Sequence, residues 1–323
     1  IQQSDWSSDV CSSDLYNSCK NPNCPECGSV DKEIWIHKQE RFTLNVNYFH
    51  VVFTIPNELN VLCLIDPKFM YKVLFDISAE TIKELSKDKT YLGAKIGFTS
   101  VLHTWGQNLS LHPHIHMIVP GGGINSNGKW KNSKKKFFLP VKVVSKLFKG
   151  KFLSYTKKNF DQRKIKDKEQ FQEIINSCYS KDWVVYTKKP MKSAKHVVKY
   201  LGRYTHRIAI SNARIKKYED NKVTFSYKDY SNHNQIKEMT LDDTEFFRRY
   251  MMHVLPSNFM KIHHYGFLGN RNKEERIKAI RTATNTKDPG SFLIDYEQII
   301  SDILKRDVSI CIKCGQKRHH KLE

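Results

Sequence analysis

Three histidines alternate with apolar residues in segment 111–119, which reads LHPHIHMIV and ends at a Pro-Gly-Gly-Gly turn. Side chains two residues apart on a β-strand point to the same face of a sheet, so His112, His114 and His116 are expected to share one face. The apolar residues between them then face a core. A row of imidazoles on one face is suited to holding a divalent metal ion. The alternative is a half-exposed strand whose histidines contact solvent or are satisfied by hydrogen bonds, and the metal interpretation is favoured over it.

The chain of 323 residues carries 54 Lys and Arg against 33 Asp and Glu, a formal net charge of +21. Such an excess favours a polyanionic partner, because phosphate contacts release condensed counterions. Aromatic residues make up 12% of the chain and could stack on bases, although a merely soluble basic protein is the alternative. The sequence has no apolar run of about 18 residues and no export signal, so no membrane partner and a cytoplasmic, nucleoid-associated location are expected.

Closely spaced cysteines near both ends of the chain favour zinc over disulfides in a Lys-rich sequence of this kind. A Cys-x-x-Cys turn followed by Gly directs two thiolates at one ion, and a structural site needs four ligands. The fourth is expected from a lost N-terminus, from His37 or from the C-terminal pair, and free cysteines in a disordered leader are the alternative. The candidate zinc ligands are Cys19, Cys24 and Cys27, with Cys311 and Cys314 as the second pair.

The apolar patterns along the chain predict an α+β fold with a largely antiparallel sheet. Segment 48–56 is predicted to be a buried strand, and 66–88 and 91–109 to be helices. Further predicted elements are strands at 183–187, 208–210, 215–218 and 223–227, a new element starting at Pro190, and a helix at 192–206.

Lysines and aromatic residues alternate in segment 129–138, which is typical of a basic hairpin that contacts DNA. A solvated hairpin with its rings in the core is the equal alternative. Two amides just ahead of the histidine strand could also contact bases. The candidate DNA-binding residues are Gln107, Asn108, Lys129, Trp130, Lys134, Lys135, Lys136 and Arg207.

The helix predicted at 192–206 carries Tyr200 and Tyr204, four residues apart and therefore on one face. Arg203 and Arg207 flank them and could bind phosphate oxygens bidentately. Phenols beside guanidiniums are candidate nucleophiles toward a phosphodiester. Taken alone, the pattern is more typical of a tyrosine pair packed on an amphipathic helix.

Five motifs in the same order resemble the insertion sequence 91 family of rolling-circle transposases. They are YNSCKNPNCPEC, YFHVVFTIPNELN, LHTWGQNLSLHPHIHMIVPGGG, YLGRYTHRIAISN and FFRRYMMHVLPSNFMKIHHYGFLGNRNK. A histidine-hydrophobe-histidine strand followed by a Tyr-x-x-x-Tyr helix is also similar to the HUH single-strand endonucleases. The chain departs from the family in the upstream half of the zinc domain, and Asn23 stands where a histidine often precedes the cysteine pair.

The resemblance implies an HUH-like antiparallel sheet with flanking helices, preceded by a small, truncated zinc-binding knuckle. It divides the chain into residues 1–15, expected to be foreign adapter-derived sequence, 16–60, the zinc-domain remnant, 61–275, the catalytic domain, and 276–323, a tail with Cys-x-x-Cys.

The implied activity is nicking of single-stranded DNA at element ends through a 5′-phosphotyrosine, followed by strand transfer. Tyr200 and Tyr204 are the expected nucleophiles and Arg203 the charge-stabilising residue. His114 and His116 are expected to hold Mg²⁺ or Mn²⁺, with His112 as the third ligand and His103 as a weaker candidate, while Zn²⁺ is structural. The alternatives are a non-catalytic zinc-ribbon regulator, or a replication initiator or relaxase with the same chemistry.

Overall fold

The computed structural model describes residues 27–134, 138–165, 167–191, 197–198, 200, 202, 208–230, 232–290, 295–310 and 315–317. The strands in these residues are β1 (Tyr48–Thr54), β2 (Phe98–Trp105), β3 (Leu111–Pro120), β4 (Gly122–Ile124), β5 (Trp130–Asn132), β6 (Val185–Met191), β7 (Ile215–Glu219), β8 (Lys222–Asp229), β9 (Gln235–Asp242) and β10 (Ile262–Tyr265). The helices are α1 (Cys27–Glu40), α2 (Asn60–Ile65), α3 (Pro67–Lys87), α4 (Val141–Asn159), α5 (Lys168–Ser180), α6 (Asp243–Met251), α7 (Lys273–Ala283) and α8 (Tyr296–Leu304).

Five strands form the central sheet in the order β10–β2–β3–β1–β6, and every neighbouring pair is antiparallel. The α+β prediction with an antiparallel sheet and flanking helices is therefore confirmed. β1 lies between β3 and β6, so it occupies an interior position of the sheet. The predicted division of the chain at residue 60 thus falls between strands of one sheet, and the domain boundaries themselves stay predictions.

One face of the sheet forms the main core. Phe53, Ile115 and Met117 are fully buried on this face, in a cluster that includes residues of α3, α4 and α5. Phe148 of α4 meets Phe53 edge to face, with ring centroids 4.8 Å apart. Each such side chain contributes about 2–3 kcal/mol through its burial, which fixes the register of the histidine strand.

The longest helix of the core layer begins where the sequence provides both an N-cap and a proline. Asp66 accepts a hydrogen bond from the backbone N–H of Phe69 at 3.1 Å, and Pro67 takes the first helical position. A proline there removes only a donor that the helix would leave unpaired. α3 therefore confirms the helix predicted at 66–88.

The opposite face of the sheet is smaller and partly polar. Tyr48, Val101 and Ile118 form a buried apolar cluster there with Val197. Trp35 of α1 and Tyr200 pack against this cluster. The described residues 197, 198, 200 and 202 are helical, in agreement with the helix predicted at 192–206.

A second antiparallel sheet, β7–β8–β9, is joined to the first through the turn between β2 and β3. Phe225 of β8, Phe246 of α6 and Leu109 of that turn share a small core. Arg214 donates hydrogen bonds to the carbonyl oxygens of Gln107 and Ser226, which fixes the turn against the second sheet.

Three predicted elements are wrong. Residues 98–105 form strand β2 and not a helix, because Phe98, Val101, Leu102 and Trp105 have helical spacing in a strand that is buried on both faces. Segment 208–210 forms no strand, and Pro190 lies within β6 and does not start a new element.

Candidate active site

Antiparallel pairing of β2 with β3 places His103 directly opposite His114. Together with His116, two residues further along β3, these side chains offer three ring nitrogens that all lie within 4.8 Å of one another. His103 and His116 are buried, whereas His114 is half-buried and opens the group toward solvent. We call these three residues the histidine group.

Two of the histidines have their Nδ1 atoms fixed by hydrogen bonds. Nδ1 of His114 lies 2.6 Å from the carbonyl oxygen of His112, and because a carbonyl only accepts, Nδ1 carries the proton. Nδ1 of His116 lies 2.8 Å from Nε2 of His50. Outer partners of this kind are typical of metal-binding histidines, and they direct Nε2 toward an ion. The histidine group can therefore hold a divalent metal ion.

His112 lies beside this group and is not one of its three members. Its ring centroid is 5.1 Å from that of His114, and burial lowers the pKa of its imidazole. The structure thus draws the third histidine from β2, as His103, in place of the expected His112. A role of His112 as a ligand stays a prediction from the sequence.

Tyr200 is connected to the histidine group through one further histidine. Its hydroxyl lies 3.1 Å from Nδ1 of His50, whose Nε2 contacts His116. The rings of His50 and His116 stack with centroids 5.0 Å apart, and Tyr200 meets His50 edge-on. A phenol, a linking imidazole and three clustered imidazoles therefore occupy one face of the sheet.

Close backbone packing holds the Tyr200 segment in place. A Cβ added at Gly202 would lie 2.3 Å from the side chain of Ile36, so α1 approaches this segment where only a glycine leaves room. The remaining predicted residues of this helix, Arg203, Tyr204 and Arg207, lie outside the described residues.

The amides predicted to contact DNA lie in the turn between β2 and β3. Gln107 donates to the hydroxyl of Tyr230 at 3.3 Å, and Asn108 accepts from the backbone N–H of Ser110 at 3.2 Å. Both side chains are half-buried, so their polar groups take part in the turn, and base contact by them stays a prediction.

In the basic hairpin, the described lysines and aromatic rings point to different surroundings. Lys129 and Lys134 are exposed, whereas Trp130 packs edge-on against Phe267 at 5.9 Å and Phe138 stacks on Phe49 at 5.4 Å. These rings therefore agree with the alternative in which the hairpin turns its aromatics into the protein. Lys135 and Lys136 lie outside the described residues.

The predicted zinc ligands Cys19, Cys24, Cys311 and Cys314 also lie outside the described residues, and Cys27 is the first residue of α1. Cys63 and Cys178, expected to be buried thiols, are buried. Within the described ranges, no helix has the length and apolar character needed to cross a membrane.

Two residues of the site were missed or undervalued. His50 interrupts the apolar strand YFHVVFT, and a lone imidazole in a buried strand is the signal that could have identified it. His103 was given less weight because its segment was predicted to be a helix, in which no register with His114 exists.

Comparison with known proteins identifies the class. Residues 97–276 match the family described as "Putative transposase", and residues 4–55 match the family described as "Transposase zinc-binding domain". A "Putative transposase y4qJ" of Sinorhizobium fredii is 38% identical over 319 residues, covering 93% of this chain and 79% of that protein. The "Transposase for insertion sequence element IS801" of Pseudomonas savastanoi pv. phaseolicola is 27% identical over 309 residues, covering 94% and 74%.

These matches define a transposase, a DNA-processing enzyme with a zinc-binding domain at its N-terminal side. The chain belongs to the insertion sequence 91 family of transposases. No solved structure matches it. The zinc-domain match begins at residue 4, within the segment expected to be foreign, and ends at residue 55, after β1.

Proposed function

We propose that this transposase nicks single-stranded DNA at the ends of its element through a 5′-phosphotyrosine and transfers the strand by rolling-circle transposition. One observation carries the proposal: the Tyr200 hydroxyl lies one imidazole away from the histidine group. A nucleophile beside a candidate metal site is what phosphodiester transfer requires. The DNA of the bacterial nucleoid is the proposed place of action.

His103, His114 and His116 would hold the ion, and their chemistry fits it. Imidazole nitrogens suit Mn²⁺ better than Mg²⁺, which prefers oxygen ligands, so we propose Mn²⁺ or, less favourably, Mg²⁺. When bound, the ion supplies Lewis acidity at the scissile phosphate and eases departure of the 3′ oxygen.

Tyr200 would act as the nucleophile. Its phenolic oxygen forms a bond to phosphorus as the bond between phosphorus and the 3′ oxygen of the preceding nucleotide breaks. The leaving oxygen takes up a proton and becomes a free 3′-OH, while the phenol gives up its own proton. Because the phosphotyrosine conserves the energy of the phosphodiester, another 3′-OH can reverse the step without ATP. Tyr204 as the second nucleophile and Arg203 as its neighbouring cation remain part of the proposal on sequence grounds.

An adduct assay tests the proposal. The protein is incubated with a labelled single-stranded oligonucleotide that carries an element end, with Mn²⁺ or Mg²⁺, and an SDS-resistant adduct is expected. The Tyr200→Phe, Tyr204→Phe double variant and the His114→Ala, His116→Ala double variant should both form none. Tyr218→Phe is the matched control, because Tyr218 is an exposed tyrosine on β7, and it should form adduct at the wild-type rate.

An adduct that persists in the double tyrosine variant would refute the nucleophile assignment. DNA binding by the wild type without any adduct would favour the non-catalytic regulator instead.

A further inference from the structure

We propose that His50 is a positioning residue that ties the orientation of the Tyr200 phenol to occupancy of the histidine group. The inference rests on the proposed function, since it concerns the same ion and the same nucleophile. His50 lies in the interior strand β1, opposite Ile118 of β3, and only 4% of its surface is exposed.

Both ring nitrogens of His50 contact groups of the candidate site. Nε2 lies 2.8 Å from Nδ1 of His116, and Nδ1 lies 3.1 Å from the Tyr200 hydroxyl. A buried imidazole costs free energy unless its nitrogens are hydrogen-bonded, and here the proposed ligand and the proposed nucleophile provide those bonds. Tyr48, two residues earlier on the same face, instead accepts a hydrogen bond from the backbone N–H of Leu44.

The direction of these hydrogen bonds follows from which nitrogen of His116 would meet the ion. With Nε2 of His116 on the ion, its Nδ1 carries the proton and donates to Nε2 of His50. Neutral His50 then carries its proton on Nδ1 and donates to the oxygen of Tyr200. The phenolic proton consequently points away from His50.

This arrangement favours the attacking form of the phenol. A hydrogen bond donated to the phenolic oxygen stabilises negative charge on that oxygen. Without an ion, the opposite set of donors is equally allowed, with Tyr200 donating to His50 and His50 donating to His116. An ion at the histidine group would therefore select one of two hydrogen-bond arrangements and orient Tyr200 for attack.

Substitutions at His50 can separate its two contacts. His50→Phe keeps an aromatic ring and removes both hydrogen bonds. In His50→Gln, the amide reaches the position of Nε2, so a partner for His116 is kept and the bond to Tyr200 is lost. His263→Gln is the matched control, because His263 lies in β10 of the same sheet, packs on Phe75 and bonds the Met260 carbonyl.

The first measurement is Mn²⁺ binding to the full chain by calorimetry, with the His114→Ala, His116→Ala variant as background. His50→Phe is expected to bind Mn²⁺ about 10- to 100-fold more weakly, the usual cost of losing an outer partner of a metal-binding histidine. His50→Gln and His263→Gln should bind within about twofold of the wild type. Equal weakening in His50→Gln and His50→Phe would overturn the inference, because the hydrogen bond to His116 would then not be the cause.

The second measurement is the single-turnover rate of adduct formation at saturating Mn²⁺ and oligonucleotide. His50→Gln should be at least about tenfold slower, with an unchanged half-saturating oligonucleotide concentration, because only the orientation of Tyr200 has changed. A wild-type rate in this variant would overturn the coupling of His50 to Tyr200.

The failure of this inference can be told from that of the proposed function. Wild-type adduct formation with normal Mn²⁺ binding in His50→Phe would reject the positioning role and leave the nuclease proposal standing. Failure of the wild type to form any adduct would reject the nuclease proposal. Mn²⁺ binding by the His50 variants would still decide whether His50 orients His116.

Discussion

His253 is buried near the turn between β2 and β3, and hydrogen bonds use both of its ring nitrogens. Nε2 donates to the carbonyl oxygen of Leu109 at 3.1 Å, and Nδ1 accepts from the hydroxyl of Thr104 at 3.2 Å. Burial lowers the pKa of this imidazole from 6.5 to about 4, because the charged form loses its hydration. The neutral ring is therefore the form that the fold accommodates.

We expect the free energy of unfolding to fall as the pH is lowered from about 6.5 to about 4. In this window the unfolded chain binds a proton at His253 that the folded chain does not, so protonation favours unfolding. The stabilising contribution is complete above pH 6.5 and amounts to a few kcal/mol, at about 1.4 kcal/mol per pKa unit. Urea unfolding at pH 7.5 and pH 5 measures it.

The matched variant is His253→Gln, which should be less stable at pH 7.5 and should lose less stability on acidification. Part of the dependence should remain, because burial also lowers the pKa of His264 to about 4. Equal losses of stability in the variant and the wild type would contradict the assignment to His253.

The β4–β5 hairpin separates two roles that the sequence left open. Lys129 and Lys134 are exposed, and neutralising both to Gln should weaken DNA binding and reduce the salt dependence by roughly one per lost phosphate contact. Trp130→Ala should instead lower the free energy of unfolding by about 1–3 kcal/mol, because its ring packs on Phe267. Fluorescence anisotropy with a labelled oligonucleotide and urea unfolding distinguish the two effects.

The control for the lysines is a second neutralised pair, Lys157→Gln with Lys158→Gln, on α4 at the core side of the sheet. It removes the same charge and should change the affinity less than the hairpin pair. Equal effects of the two pairs would mean that net charge, and not the hairpin, determines the affinity.

The elements that could be predicted from sequence are those with one clear period. β1, β3 and α3 were found because burial on one side, or a capped helical repeat, marks the chain locally. β2 was not, since its apolar residues Phe98, Val101, Leu102 and Trp105 follow helical spacing while the intervening Thr99 and Ser100 are also buried. β9 lacks a buried face and gave no signal.

The same limit applies to the site. His114 and His116 lie two residues apart, so their shared face could be predicted from strand geometry. His103 and His50 reach them only through pairing between strands distant in sequence, and such register is not encoded locally.

The charge of the whole molecule sets the character of its DNA contact. At a net charge of +21, binding to single-stranded DNA should depend strongly on salt. With roughly six phosphate contacts at a slope of about −0.7 each, affinity should fall on the order of 10²- to 10³-fold between 50 and 200 mM NaCl. Anisotropy titrations across this range measure the slope, and a slope near zero would exclude backbone contact as the main source of affinity.

The interior position of β1 bears on how relatives of this protein can exchange parts. A chimera that joined the first 55 residues of one relative to the remainder of another would insert a foreign strand between β3 and β6, together with a foreign His50. Such hybrids should fold only when the donor strand matches its new neighbours. Inheritance of the front segment is thereby linked to inheritance of the catalytic sheet.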